Sequence, residues 1–259
     1  MLNYYGGKWS SGDWIIEHFP EHEIYVEVFG GGASVMLKKK RSKREVINDI
    51  DDEIVNLYQV MRDHYAELHR RCELTPHSRK EYKMARDRSE DPIEQARRTI
   101  IKSYFGIGDS VFNENGMRSS KTSNTCVATS WFNWHQQMWQ IAERFQGVTI
   151  ESLSWSDLLE KYDSPTTLFY LDPPYVKATR NSRHAYRFDF EDKDHVALID
   201  AIQKLKGFVL ISGYDHEIYT PLPWKKVTRD FKTNNKKEQT ETLWLCPKTQ
   251  SQQTQMGLF

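Results

Sequence analysis

Two rhythms of apolar and polar positions run along this chain, and the switch between them divides it. Short, almost unbroken apolar runs occur at 24–29, 45–51, 147–151, 168–171 and 207–213. Runs of that length, bounded by turn residues, predict strands buried on both faces of a sheet. Helix-like patterns at 35–37, 156–161 and 196–206 lie between them, the last behind a capping acid, Asp192 or Asp194. From about 53 to 149 the alternation stops. Charge-rich helical patterns cover 54–71, 78–88 and 92–105, followed by a glycine- and polar-rich stretch over 106–123. An aromatic group then follows, Trp131, Phe132, Trp134 and Trp139, which reads as core rather than as a base-stacking surface. So long an interval predicts an inserted lobe rather than a crossover. Near the end, 224–233 and 241–245 predict an antiparallel pair joined by Asn234-Asn235-Lys236-Lys237. The expected fold class is α/β, with one discontinuous sheet domain (1–52 and 147–248) and a mainly helical insertion (53–146). Past Pro247 the chain turns to Gln, Ser and Thr, which predicts an unstructured tail over 249–259.

Composition changes this picture little. The 259 residues are 38% hydrophobic, enough for one sizeable core, and the formal net charge is zero. Global charge therefore does not announce nucleic acid, and local patches must carry that case. Cys72, Cys126 and Cys246 are odd in number, far apart and without metal-ligand spacing, which fits reduced thiols; no metal is expected. No run approaches the ~20 apolar residues of a membrane span, and the start carries no secretory signal. A soluble, cytoplasmic protein is expected.

The sharpest break in the pattern follows Leu168-Phe169-Tyr170-Leu171, where Asp172-Pro173-Pro174-Tyr175 ends the run. The prolines cannot continue a strand, so the tetrad sits at a strand's carboxyl end, where open α/β sheets bind ligands. Asp172 and the Pro173 carbonyl can both accept from one amino group, and the proline φ angles hold that carbonyl still. Tyr175 adds a flat ring beside them. Two acceptors for an exocyclic amine plus a stacking ring describe a pocket for an extruded nucleobase; the plain alternative is a stiffened turn.

The run at 24–29 enters Gly30-Gly31-Gly32-Ala33-Ser34 and then a helical pattern. Strand, glycine turn, helix is the opening of a Rossmann-type unit, in which glycines admit a ligand and a helix start favours a negative group such as a carboxylate. The spacing is not GxGxxG, which disfavours a dinucleotide, and a plain tight turn is the competing reading. Asp49 lies 19 positions after Gly30, near the ~20-residue offset at which an acid binds ribose hydroxyls. Tyr4-Tyr5-Gly6-Gly7-Lys8 adds paired glycines and a lysine able to reach a carboxylate. Arg97, Arg98, Lys102, Arg118 and Lys121, with interleaved polar residues, suit phosphate and base contacts; a solvated helical cap is the bland alternative. Lys177, Arg180, Arg183 and Arg187 form a basic stretch just after the tetrad, fit either for a displaced backbone or for solvent.

Taken together, these motifs resemble the Dam-type DNA adenine-N6 methyltransferases over residues 4 to about 246. Tyr4-Tyr5-Gly6-Gly7-Lys8, then Glu27-Val28-Phe29-Gly30-Gly31-Gly32-Ala33-Ser34, Asn48-Asp49-Ile50-Asp51 and Asp172-Pro173-Pro174-Tyr175 stand in the family's order, with later blocks at Ile211-Ser212 and Glu241-Thr242-Leu243. The resemblance implies a Rossmann-like seven-stranded methyltransferase sheet, S-adenosylmethionine as cofactor, double-stranded DNA as partner, and the insertion as target-recognition domain. It further implies that Glu27 and Lys8 hold the cofactor's amino-acid end and Asp49 its ribose. Tyr4, Tyr5, Gly6, Phe29 and Gly30 to Gly32 would complete its site, with Asp172 between cofactor and base. Asp172 to Tyr175 would receive adenine. Two departures stand out. The 104–118 stretch, Asn113 included, is rearranged, so the family's usual target, GATC, is not carried over. Leu153-Ser154-Trp155 replaces Gly-Asp-Phe, leaving Ser154 or Trp155 in place of an acid. Separately, Gln255-Met256-Gly257-Leu258-Phe259 resembles peptides that dock into bacterial sliding clamps. The competing readings are a cytosine-N4 or RNA amino-methyltransferase and a non-catalytic DNA-binding relative.

Overall fold

A computed structural model describes residues 7–107, 116–118, 126–136, 138–179, 187–232 and 238–256, without the side chains of 232, 238, 239 and 252–256. Seven strands form one sheet: β1 (Ile24–Glu27), β2 (Arg44–Asn48), β3 (Val148–Glu151), β4 (Thr167–Leu171), β5 (Phe208–Gly213), β6 (Lys225–Lys232) and β7 (Glu238–Leu245). The order is β3-β2-β1-β4-β5-β7-β6, with the first five parallel and β7 antiparallel to both β5 and β6. Chain order reverses between β1 and β4, so the glycine turn and the Asp-Pro-Pro-Tyr tetrad emerge side by side. That is the switch point at which α/β sheets bind ligands.

The helices follow in chain order: α1 (Gly12–Ile16), α2 (Ser34–Lys38), α3 (Asp52–Asp63), α4 (Tyr65–Glu73), α5 (Arg79–Met84), α6 (Pro92–Phe105), α7 (Val127–His135), α8 (Met138–Phe145), α9 (Trp155–Tyr162), α10 (Asp192–Ile202) and α11 (Pro247–Met256). Strand side chains alternate between two apolar layers, as the pleat requires. Tyr25, Ile47, Leu168, Tyr170 and Leu210 join α1 to α8 on one face, while Val26, Val46, Phe169, Val209 and Ile211 join α9 and α10 on the other.

Elements α3 to α8 occupy the connection between β2 and β3. The helix expected over 54–71 is two, because His64 leaves helical geometry (φ −128°, ψ 29°). Asp91 caps α6 by accepting from the Ile93 and Glu94 amides, with Pro92 in the first turn, so the start at 92 agrees with the sequence. No break separates the insertion from the sheet: Ile54, Tyr58 and Met61 on α3 share one apolar cluster with Ile47 and with Trp131 and Phe145. Trp131 and Trp134 stack inside it, but Phe132 and Trp139, expected as core with them, are exposed. A second correction concerns the tail. Where an unstructured segment is expected from 249, α11 runs to Met256, anchored by buried Thr249 and by Lys248 Nζ on the Pro165 and Lys206 carbonyls at 2.6 and 2.7 Å. Among the described residues no helix is long and apolar enough to cross a membrane.

Candidate active site

A cavity of about 300 Å³ opens at the carboxyl ends of the central strands. Its wall takes in the turn after β1, Asp49 to Asp51 after β2, 153–155 before α9, Asp172 and Pro174 after β4, and 187–190 before α10. The first of the three glycines is fixed by protein, not by ligand. A Cβ on Gly30 would stand 2.9 Å from the Asn48 carbonyl oxygen and 2.6 Å from Tyr58 Oη. The turn then passes through the left-handed region at Gly31 (φ 49°) and again at Ala33 (φ 55°), where a side chain is unfavourable. Its helix, α2, is only five residues long, so its N-terminal dipole is small.

Asp49 stitches this turn to β2. Its Oδ2 accepts from the Gly31 amide at 2.7 Å and its Oδ1 from the Asp51 amide at 2.9 Å. Burial pushes its carboxyl up to about 6 despite those bonds. Asn48, the residue before it in the same block, does comparable work. Its Nδ2 donates to the Val28 and Leu153 carbonyls at 3.0 and 3.2 Å, and its Oδ1 accepts from the Leu153 amide at 2.8 Å. One buried side chain thus aligns the ends of β1 and β2 with the loop before α9. In that loop Ser154 caps α9, accepting from the Asp157 amide at 3.2 Å, and Trp155 beside it lines the cavity.

Glu27, the last residue of β1, is buried in the same cavity. Tyr25 Oη donates to its Oε2 at 2.8 Å. Burial pushes its carboxyl up to about 8, although Tyr25 and the Met36 amide pull the other way. Among the described residues no cation stands at ion-pair distance; Lys39, which acts on it through space, is committed to Glu45 at 2.6 Å.

Asp172 is treated differently. Lys8 Nζ lies 2.9 Å from its Oδ2, 3.7 Å from Glu241 Oε1 and 4.7 Å above the Tyr175 ring centroid. Ser212 on β5 donates to Asp172 Oδ1 at 3.0 Å and shares a hydrogen bond with Tyr170 Oη at 2.9 Å. Tyr175 Oη donates a short hydrogen bond to Glu241 on β7, and Tyr214 meets the Tyr175 ring edge-on at 4.6 Å. Burial alone would lower the Lys8 ammonium, but Asp172 and Glu241 outweigh it and raise it. Burial raises the Glu241 carboxyl, with Lys8 pulling it down.

The structure therefore brings Glu27, Phe29, Gly30 to Gly32, Asp49, Ser154, Asp172 and Pro174 to one cavity. Lys8, expected on the cofactor's amino-acid end, lines the same cavity, with its Nζ between the two acids at the tetrad. Of the expected DNA contacts, Arg97, Arg98 and Lys102 turn inward. Arg97 bridges Glu81 and Glu94 at 2.8 and 2.7 Å, Arg98 pairs with Glu94 at 2.8 Å, and Lys102 with Glu53 at 2.6 Å. They hold the lobe together by pairing acids on α3 (Glu53), α5 (Glu81) and α6 itself (Glu94), of which Glu53 is buried. Arg118 stands beside the short bridge between Gly106 and Met117, and Lys177 is half exposed, 3.4 Å from Asp189. Tyr4, Tyr5, Gly6, Asn113, Lys121, Arg180, Arg183, Leu258 and Phe259 lie outside the described residues, as do the side chains of Gln255 and Met256. Asn48 and Glu241, read in the sequence only as parts of family blocks, carried no expected role, and neither did Arg187 as a cavity residue, whose Nη1 reaches Asp51 at 3.3 Å and Glu53 at 3.1 Å. Glu241 carried a usable signal, an acid opening the apolar run of a central strand.

Comparison with known proteins agrees with this geometry. Residues 4–242 match the family model of the D12 class N6 adenine-specific DNA methyltransferases. The DNA adenine methylase of Escherichia coli K12 is 27% identical over 232 residues, covering 83% of this chain and 80% of that protein. Those of Salmonella typhi (26%, covering 83% and 80%) and Vibrio cholerae O395 (27%, covering 83% and 81%) are similar to the same extent. A match spanning both the glycine turn and the tetrad, in a sheet that sets them side by side, settles the family: this chain is a D12 class N6 adenine-specific DNA methyltransferase.

Proposed function

We propose that the chain transfers a methyl group from S-adenosylmethionine to the N6 amine of an adenine extruded from duplex DNA into the tetrad. The observation that carries the site assignment is the contrast within one cavity: Asp172 has a lysine, whereas Glu27, the more deeply buried of the two, has only neutral donors. A buried acid without a cation fits a ligand that brings its own, and the cofactor carries an ammonium. Asp49 keeps lone pairs free for hydroxyls, and Phe29, Ile50, Trp155 and Phe188 offer an apolar wall for a flat base. When bound there, the cofactor supplies a methyl group on a positively charged sulfur.

The chain's own residues prepare the acceptor. Asp172 and the Pro173 carbonyl accept from the two N6 hydrogens and turn the nitrogen's lone pair outward. As that nitrogen leaves planarity it gains positive charge, which the Asp172 carboxylate stabilises in place, so no prior deprotonation is required. Ser212 holds the carboxylate's other oxygen still. Tyr175, fixed by Glu241, stacks on the base. Long-read mapping of DNA from cells expressing the protein tests this. Methylated adenines in one sequence context are expected, absent with Asp172→Ala; modified cytosines instead would refute it. We also propose docking of the tail to a sliding clamp through Gln255 to Phe259, to be lost when the last five residues are deleted.

A further inference from the structure

Resting on that function, we infer that Lys8 is an internal stand-in for the target's amino group, which an incoming adenine must displace from Asp172 toward Glu241. The site has two features a target amine needs, an acceptor on Asp172 and a place against the Tyr175 ring. Lys8 holds both, at 2.9 Å from the carboxylate and 4.7 Å above the ring. Tyr175 is 8% exposed, so its ring presents no bare surface for a base until something withdraws. Lys8 is the group able to withdraw over a short path, because Glu241 already lies 3.7 Å from its Nζ. Moving there keeps one cation beside two buried acids throughout, so no carboxylate is stranded.

This exchange has two chemical consequences. The two acids keep Lys8 protonated. An ammonium has no lone pair, so the stand-in cannot itself accept the methyl group. Displacement also selects among bases. Only a base that brings N–H donors to Asp172 replaces what Lys8 gives up, and one without them leaves a buried carboxylate short of a partner.

The experiment compares binding of two duplexes carrying the mapped site, each with the target opposite an abasic position. One has adenine as target, the other unsubstituted purine, which lacks the amino group. Wild type is expected to bind the adenine duplex roughly tenfold more tightly or better. In Lys8→Met that ratio should fall to a few-fold, and Lys8→Arg should restore most of it. A merely structural lysine would weaken both duplexes together, and an unchanged ratio in Lys8→Met overturns the inference. Should Lys8→Met not fold, nitrogen-15 lysine spectra of wild type decide. The Lys8 ammonium signal should shift with the adenine duplex and stay with the purine one; equal shifts, or none, overturn it. Methyl transfer by wild type is measured alongside. Transfer with an unmoved ratio sinks only the role of Lys8, whereas no transfer to any duplex sinks the proposed function and this inference with it.

Discussion

Glu27 and Asp172 follow neighbouring parallel strands into one cavity, and their surroundings could hardly differ more. Asp172 meets Lys8 and the Ser212 hydroxyl, with a second acid, Glu241, sharing the lysine. Glu27 meets a tyrosine hydroxyl and a backbone amide, and its carboxyl rises to about 8. Leaving a buried acid without a cation costs stability, so the difference points to what each is for. On the proposed reading, Glu27 waits for a cation that arrives with the ligand, and Asp172 has a charge partner it can exchange for a neutral amine.

The largest effect should come from the Asp172 side. Asp172→Ala is expected to lower methyl transfer by roughly 10²–10³-fold or more, as for loss of one preorganised group facing developing charge, with cofactor binding retained; labelled-methyl assays read the first and calorimetry the second. Unimpaired transfer would break the mechanism. Glu27→Gln should do the opposite, weakening cofactor binding by about 2–5 kcal/mol while stabilising the ligand-free fold. The sign follows from linkage. With a folded value near 8 against the ordinary 4.5, the folded form holds its proton more tightly, so this group makes wild type less stable as pH rises between those values. The gain in melting temperature for Glu27→Gln should therefore be absent below about 4.5, grow through that window and level off above about 8. A gain independent of pH would contradict it.

Asn48→Ala should cost about 1–3 kcal/mol in denaturant unfolding, because the Leu153 amide and two carbonyls lose their partner. Cofactor affinity should fall with it. The smallest effect sharpens a second contrast, between the lobe's inward and outward basic residues. Arg97→Ala should destabilise the lobe yet leave the salt slope of DNA binding unchanged, since Arg97 is held by Glu81 and Glu94. A shallower slope would return it to the interface.

Much of the cavity was legible in the sequence because strand ends are. An apolar run stopped by Asp172-Pro173-Pro174 has one reading as a sheet element, and the glycine turn after Glu27 has few. Asp49 was found by spacing, though spacing does not reveal that its oxygens also tie Gly31 and Asp51. What escaped depends on contacts distant in sequence. Asn48 reaches Leu153, 105 positions on, and Tyr175 reaches Glu241, 66 positions on. No local pattern encodes which acid meets which base. Lys8 and Arg97 were therefore recognised as cations, but the two carboxylates that each one meets were not.

Titration of S-adenosylmethionine into wild type, Glu27→Gln and Asp172→Asn tests the division of labour between the two acids most directly. Glu27→Gln should lose most of its affinity, while Asp172→Asn binds like wild type and fails to transfer. Full affinity in Glu27→Gln, with affinity lost in Asp172→Asn, would contradict the account.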